Sequence, residues 1–141
     1  MADGSDPLDI EAVVRQLGAV DEAYLHARGV GATVLELERL SNALTACLAF
    51  AHDVHDREGQ WADVGATSSA RWVAARTKTP VRVLQGRIRD GVALRLLPSA
   101  AGPARRGDLS ADHLRSLSRC VEQHPLRAVE DEDLLVGQRW T

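Results

Sequence analysis

The spacing of apolar residues between Leu37 and Val54 constrains the fold more than any other feature of the chain. Leu37, Leu40, Leu44, Cys47, Ala51 and Val54 step by three, four, three, four and three residues, which lines them along one side of a helix. The spacing predicts a helix over about Thr33 to Glu58, with Gly59 as its stop, and the seam needs a second helix to cover it. That cover comes either from a helix of the same chain, as in a bundle, or from a helical partner or a second copy docking on residues 33–58. An intramolecular bundle is the simpler solution. It places Leu44 in a core, where Leu44→Ala costs about 2–5 kcal/mol.

The 141 residues suffice for one core without metal or disulfide. With one Phe, one Tyr and three Trp, that core must be built from Leu, Val and Ala, which favours helices. No strand-like alternation exceeds four residues, so the expected fold is all-α: a helical bundle with one long helix and a helix-turn-helix-like hairpin. Asp6 and Pro7 are placed to start a first helix that runs to about residue 26 and breaks at Arg28-Gly29-Val30-Gly31. Gln60 to Ser69 reads as a connection anchored by Trp61, with Ser68 or Ser69 capping the next helix. That helix is short, over Ala70 to Thr77, and a turn at Lys78-Thr79-Pro80 and a helix to about Leu97 come after it. Pro98, Gly102, Pro103 and Gly107 then interrupt the chain. Ser110 caps a helix from Ala111 to about Gln123, which His124-Pro125 ends, and Glu130 to Leu135 offers the start of another. Three segments result: an N-terminal helix and frayed end over 1–30, a helical domain over 31–125 with its hairpin at 70–97, and an acidic tail or helix start over 126–141.

Charge is distributed in blocks. Residues 1–70 carry four Arg against twelve acids, net −8; residues 71–119 carry eleven Arg and Lys against three Asp, net +8; the remainder carries two Arg against five acids. A basic centre between acidic ends is the part an anionic partner would see. Cys47 and Cys120 lack metal-site or redox spacing and are expected as buried helix-face thiols. Neither a signal sequence nor an apolar run near about twenty residues is present, so the expected location is cytoplasmic, with no membrane partner.

The strongest local signal is residues 70–98, ARWVAARTKTPVRVLQGRIRDGVALRLLP. Val73 and Ala74 face inward on a short helix, a three-residue turn follows, and Leu84, Ile88 and Val92 share one face of the next. Arg82, Gln85, Arg89 and Ala93 share the opposite face, where two guanidinium groups and an amide could reach phosphates or base edges. With Arg71, Arg76 and Lys78 they form the candidate DNA-binding set, the alternative being a solvated basic face on a packing hairpin. Gly86 and Gly91 cost about 1 kcal/mol each inside a helix, or else permit close helix approach. His52 and His55 lie one turn apart beside Asp56, but no Glu-x-x-His mate completes a four-ligand site, so no metal and no cofactor is expected. They are instead expected as polar residues near an exposed helix end. His113, three residues after Ser110, is expected as structural. No complete Ser/His/Asp set, phosphate-binding glycine loop or CxxC pair is present, and no enzyme activity is expected.

Trp61, the GATSSARWVAARTKTP run, the LRLLP helix end and the RRGDLSADH helix entry together resemble the domain of unknown function 222, also called the 13E12-repeat family. The likeness covers about residues 31–125. In that family a helical domain commonly precedes a His-Asn-His endonuclease module, which implies work on DNA; no histidine of this chain has the partners such a module needs. By position, Trp72, Ala74 and Thr77 match the family's tryptophan, small residue and turn entry, and Pro98, Gly107, Ser110 and His113 match its second half. Leu84 and Ile88 fall on the inward face of the hairpin's second helix. Where the family usually has glycine this chain has Lys78, strained by about 1 kcal/mol or more in a left-handed turn.

Overall fold

The computed structural model describes residues 7–131 and Val136. Among these residues the secondary structure is helical, with no strand. The chain divides into two units, residues 1–37 and 38–141.

In the first unit, the single helix expected up to residue 26 is two: α1 (Ile10–Gly18) and α2 (Glu22–Arg28). Two aspartates set the helix starts, and the second, Asp21, makes the split. Asp9 Oδ1 accepts the amide of Ala12 at 3.0 Å, and Asp21 Oδ1 accepts that of Tyr24 at 2.8 Å, so each side chain satisfies an amide that an interior helical residue would pair with backbone. Asp9 is therefore the cap of α1; Asp6, the expected cap, lies outside the described residues. Gly29, at φ 93°, ends α2 as expected, and α3 (Val30–Glu58) begins at once, earlier than Thr33. Thr33 is buried, its hydroxyl donating to the carbonyl of Gly29 at 2.9 Å.

The second unit takes up the rest of α3 and adds α4 (Gln60–Asp63), α5 (Ser69–Thr77), α6 (Val81–Leu96), α7 (Pro98–Arg105), α8 (Ala111–Gln123) and α9 (Pro125–Glu130). Gly59 ends α3 at φ 71°, as its position predicts. α6 packs against α5, α7 and α8, and α8 against α9. The core joins Ala46 and Ala49 of α3 to Ala93, Leu94 and Leu97, to Ala100 and Ala104, and to Leu114, Leu117 and Val121. So many alanines leave little side-chain bulk between helices, and backbones approach closely. At Gly91 the approach is closest: a Cβ there would collide with the carbonyl of Ala49 and with Asp53 Cβ.

The face of α3 that the core uses differs from the expected seam. Asn42, Ala46, Ala49 and Asp53 point inward, whereas Leu40 and Leu44 are 42% and 53% exposed and Cys47 and Ala51 are exposed too. The reason is steric, since Gly91 fits against alanine and would be held off by leucine. Cys47 is thus not a buried thiol, while Cys120 packs partly buried on the core. Residues 98–105, expected as irregular, form α7. Pro98 opens it at a position where no amide is needed, and Gly107, at φ 80°, follows its end. The connection after α7 is pinned to α3: Arg39 Nε donates to the carbonyl of Arg106 at 2.8 Å and Asn42 Nδ2 to that of Gly107 at 3.2 Å. His124-Pro125 ends α8 as expected, but Pro125 then opens α9; most of the helix start expected for Glu130 to Leu135 lies outside the described residues.

Two carboxylates are buried with this core. Asp53, 1% exposed, accepts from Arg57 Nε at 3.2 Å and from Arg95 through Nε at 3.0 Å and Nη2 at 3.4 Å. Asp90 accepts from Arg115 through Nε at 3.2 Å and Nη2 at 3.4 Å. Gly86 leaves room for that fork, since a Cβ there would lie 2.9 Å from Arg115 Nη2. Both glycines of α6 thus serve packing. The different burial of two leucines has a measurable consequence. Leu84→Ala, at a fully buried residue, is expected to cost about 2–5 kcal/mol in denaturant unfolding, and Leu44→Ala less than about 1 kcal/mol. A large loss for Leu44→Ala at low protein concentration would contradict the observed face of α3.

Candidate nucleic-acid interface

The hairpin expected at 70–97 forms, and local hydrogen bonds explain its bends. Ser68 caps α5, its Oγ accepting the amide of Arg71 at 3.1 Å. Beside it Ser69 and Ala70 are buried, and Ser69 Oγ lies 2.6 Å from His55 Nδ1. Val73 and Ala74, expected inward, are only half-buried. At the other end Thr77 Oγ1 donates to the carbonyl of Val73 at 2.9 Å and accepts the amide of Thr79 at 3.4 Å. Lys78 lies between them in the left-handed region at φ 59°, ψ 23°, its amide donating to the carbonyl of Ala74 at 3.0 Å. Its strain, expected from sequence, is part of the turn. Pro80 then leads into α6 with extended geometry.

The six candidate binding residues fall into two groups. Arg71, Lys78, Arg82 and Gln85 are exposed along the α5–turn–α6 edge. Arg76 and Arg89 are exposed but occupied. The Arg76 guanidinium lies 4.0 Å from the centre of the Trp72 ring and donates to the Trp72 carbonyl at 3.0 Å, while Arg89 pairs with Glu122 at 3.3 Å. Gln85 and Arg89 also border an open groove of about 280 Å³ that contains Asp56. Ala93, expected on the outward row, is 2% exposed. Between Asp90 and Leu94 α6 is largely buried, whereas Arg82, Gln85 and Arg89 before it and Arg95 and Leu96 after it are exposed. Leu84 is fully buried, as expected, and Ile88 and Val92 are half-buried.

Trp72 packs its ring 5.0 Å from that of His55. Trp61 is half-buried in α4, and its Nε1 is buried without a hydrogen-bond partner among the described residues. Pro98 opens α7 and Ser110 caps α8, accepting the amide of His113 at 3.1 Å; His113 itself is buried. His52 is buried, not exposed at a helix end, and His55 turns to Ser69 and Trp72. Among the described residues no three His, Cys, Asp or Glu side chains gather as a metal ligand set, and no helix is long and apolar enough to cross a membrane.

Sequence reasoning missed the buried pairs of Asp53 and Asp90. The only signal in the sequence was Asp53 following Ala46 and Ala49 at three- and four-residue steps, which places it on the small-residue face. Burial raises the Asp90 carboxyl above its ordinary range, and Arg115 offsets this in part. For His52, burial first, then the charges of Arg87 and His55, lower the imidazole below its usual 6.5.

Protein-family models, curated proteins and solved structures give no match to this chain. The likeness to domain 222 therefore rests on the motifs between Trp61 and His113 alone.

Two outcomes are expected at this edge. Lys78→Gly relieves a left-handed side chain and should raise stability by about 1 kcal/mol, read as a higher denaturation midpoint with an unchanged slope; an unchanged or lower midpoint would mean that Lys78 is not strained. His52 takes up a proton less readily in the fold than in the unfolded chain. Stability from this group is therefore lost as pH falls from about 7 to about 5 through the unfolded value, and His52→Gln should flatten that part of the profile. Asp90 acts in the opposite sense at lower pH, so a steeper loss in the His52→Gln chain would assign the slope to another group.

Proposed function

We propose that the chain is a DNA-associated accessory or regulatory domain of the domain 222 kind, without catalytic chemistry of its own. The observation that carries this reading is the acid-free run from Val64 to Arg89, which includes six Arg and Lys and spans α5, the turn and the first half of α6. A duplex approaching that edge meets Arg71, Lys78 and Arg82 with no carboxylate in the same stretch of chain, and Gln85 offers an amide for a base edge. Arg89 and Arg76 contribute less, because each would first have to leave Glu122 or Trp72. A second reading has its own observation: Leu40, Leu44, Cys47 and Ala51 leave a stripe of α3 exposed, the kind of face a helical partner covers in a protein-interaction or dimerisation module.

Fluorescence anisotropy with a labelled duplex at two salt concentrations separates the readings. Binding should weaken steeply with salt, and Arg71→Ala with Arg82→Ala should lower the salt slope by about one unit per lost phosphate contact while leaving the fold intact by circular dichroism. Equal affinity and slope for the wild type and the double variant would remove this edge as the interface and leave the α3 stripe as the better-supported site.

A further inference from the structure

A cleft of about 240 Å³ opens between α3, α6 and α7, away from the residues assigned to DNA. Its lining is largely apolar, with Leu94 and Pro98 among it, and its exposed rim carries Arg57, Arg95 and Arg105. Two fixed groups hold these cations. Asp53, buried at the back, takes one N–H of Arg57 and two of Arg95, out of five on each guanidinium. It thereby orients both forks while neutralising one charge. Arg105 lies over the Phe50 ring, 4.8 Å from its centre, a cation–π contact that holds its side chain. Three cations against one carboxylate leave the cleft doubly positive.

We infer that this cleft binds a small organic phosphate monoester, its phosphoryl group among Arg57, Arg95 and Arg105 and its organic part against Phe50 and Leu94. The charge matches, since a monoester approaches −2 near neutral pH whereas a carboxylate carries −1. The donor chemistry matches as well: guanidinium pairs with phosphate through parallel N–H bonds, and three guanidinium-bearing side chains line the cleft. The volume admits a compact ligand and excludes a duplex or a helix.

Isothermal titration of the full chain with phenyl phosphate, inorganic phosphate and benzoate tests the assignment. Phenyl phosphate should saturate one site per chain, with inorganic phosphate about tenfold weaker for want of the apolar contact and benzoate weaker than phenyl phosphate for want of charge. Arg105→Gln, which leaves the Asp53 cluster untouched, should weaken phenyl phosphate about tenfold. Phe50→Leu should narrow the gap between phenyl phosphate and inorganic phosphate. No saturable binding by the wild type, benzoate bound as tightly as phenyl phosphate, or a folded Arg105→Gln chain that binds like the wild type would each overturn the inference. If Arg105→Gln does not fold, Arg57→Gln gives the same reading, because Arg95 still holds Asp53.

Discussion

The close passage of α6 over α3 governs the second unit. Backbone meets backbone where Gly91 faces Ala49, and that contact decides which side of α3 turns inward. Once alanines form the shared face, the larger leucines of α3 must point elsewhere, and a carboxylate one turn beyond, Asp53, is drawn into the core. Burying an ionised carboxylate is costly unless it is paired and hydrogen-bonded. Arg95 and Arg57 meet that requirement from the rim, where they remain partly in water. The position of the cationic cleft thus follows from a packing constraint several residues away.

Charge and packing also divide α6 between them. Its first half carries Arg82 and Gln85 outward on an edge that also exposes Arg71 and Lys78, whereas the following stretch buries Asp90, Gly91, Ala93 and Leu94. A row of residues drawn along the helix at three- and four-residue steps crosses from one regime to the other, which is why Ala93 is buried although it continues the row of Arg82, Gln85 and Arg89. The basic block counted from sequence is likewise heterogeneous. Arg95 and Arg115 hold buried carboxylates and Arg89 holds Glu122, so the net charge of the segment overstates what a partner could engage.

Local signals in the sequence proved reliable where a few adjacent residues determine the backbone. Gly29 and Gly59, Ser68 and Ser110, and the Lys78-Thr79-Pro80 turn each act through their own φ angle or a hydrogen bond within four residues, and the all-α class follows from them. The choice of buried face was not legible in the same way. A leucine seam and an alanine seam run along the same helix, and the choice between them depends on the glycine of a helix some forty residues away. The first helix misled for a related reason: its apolar period continues through Ala19 and Val20, while the capping strength of Asp21 ends it. At the candidate interface the identity of the exposed cations was largely readable, but their availability was not, because Trp72 and Glu122 occupy Arg76 and Arg89 through side-chain geometry.

The two buried carboxylates share one helix-spanning arrangement with a dynamic consequence. Arg95 ties α6 back to α3 through Asp53, and Asp90 ties α6 onward to α8 through Arg115. Detaching α6 from α3 would cost Asp53 its two bonds from Arg95, and detaching it from α8 would cost Asp90 those from Arg115, so small openings that release one helix at a time are disfavoured. The amides of α6 are therefore expected to exchange with solvent chiefly through openings that release both neighbours together, and the hairpin edge that α6 carries shares that protection.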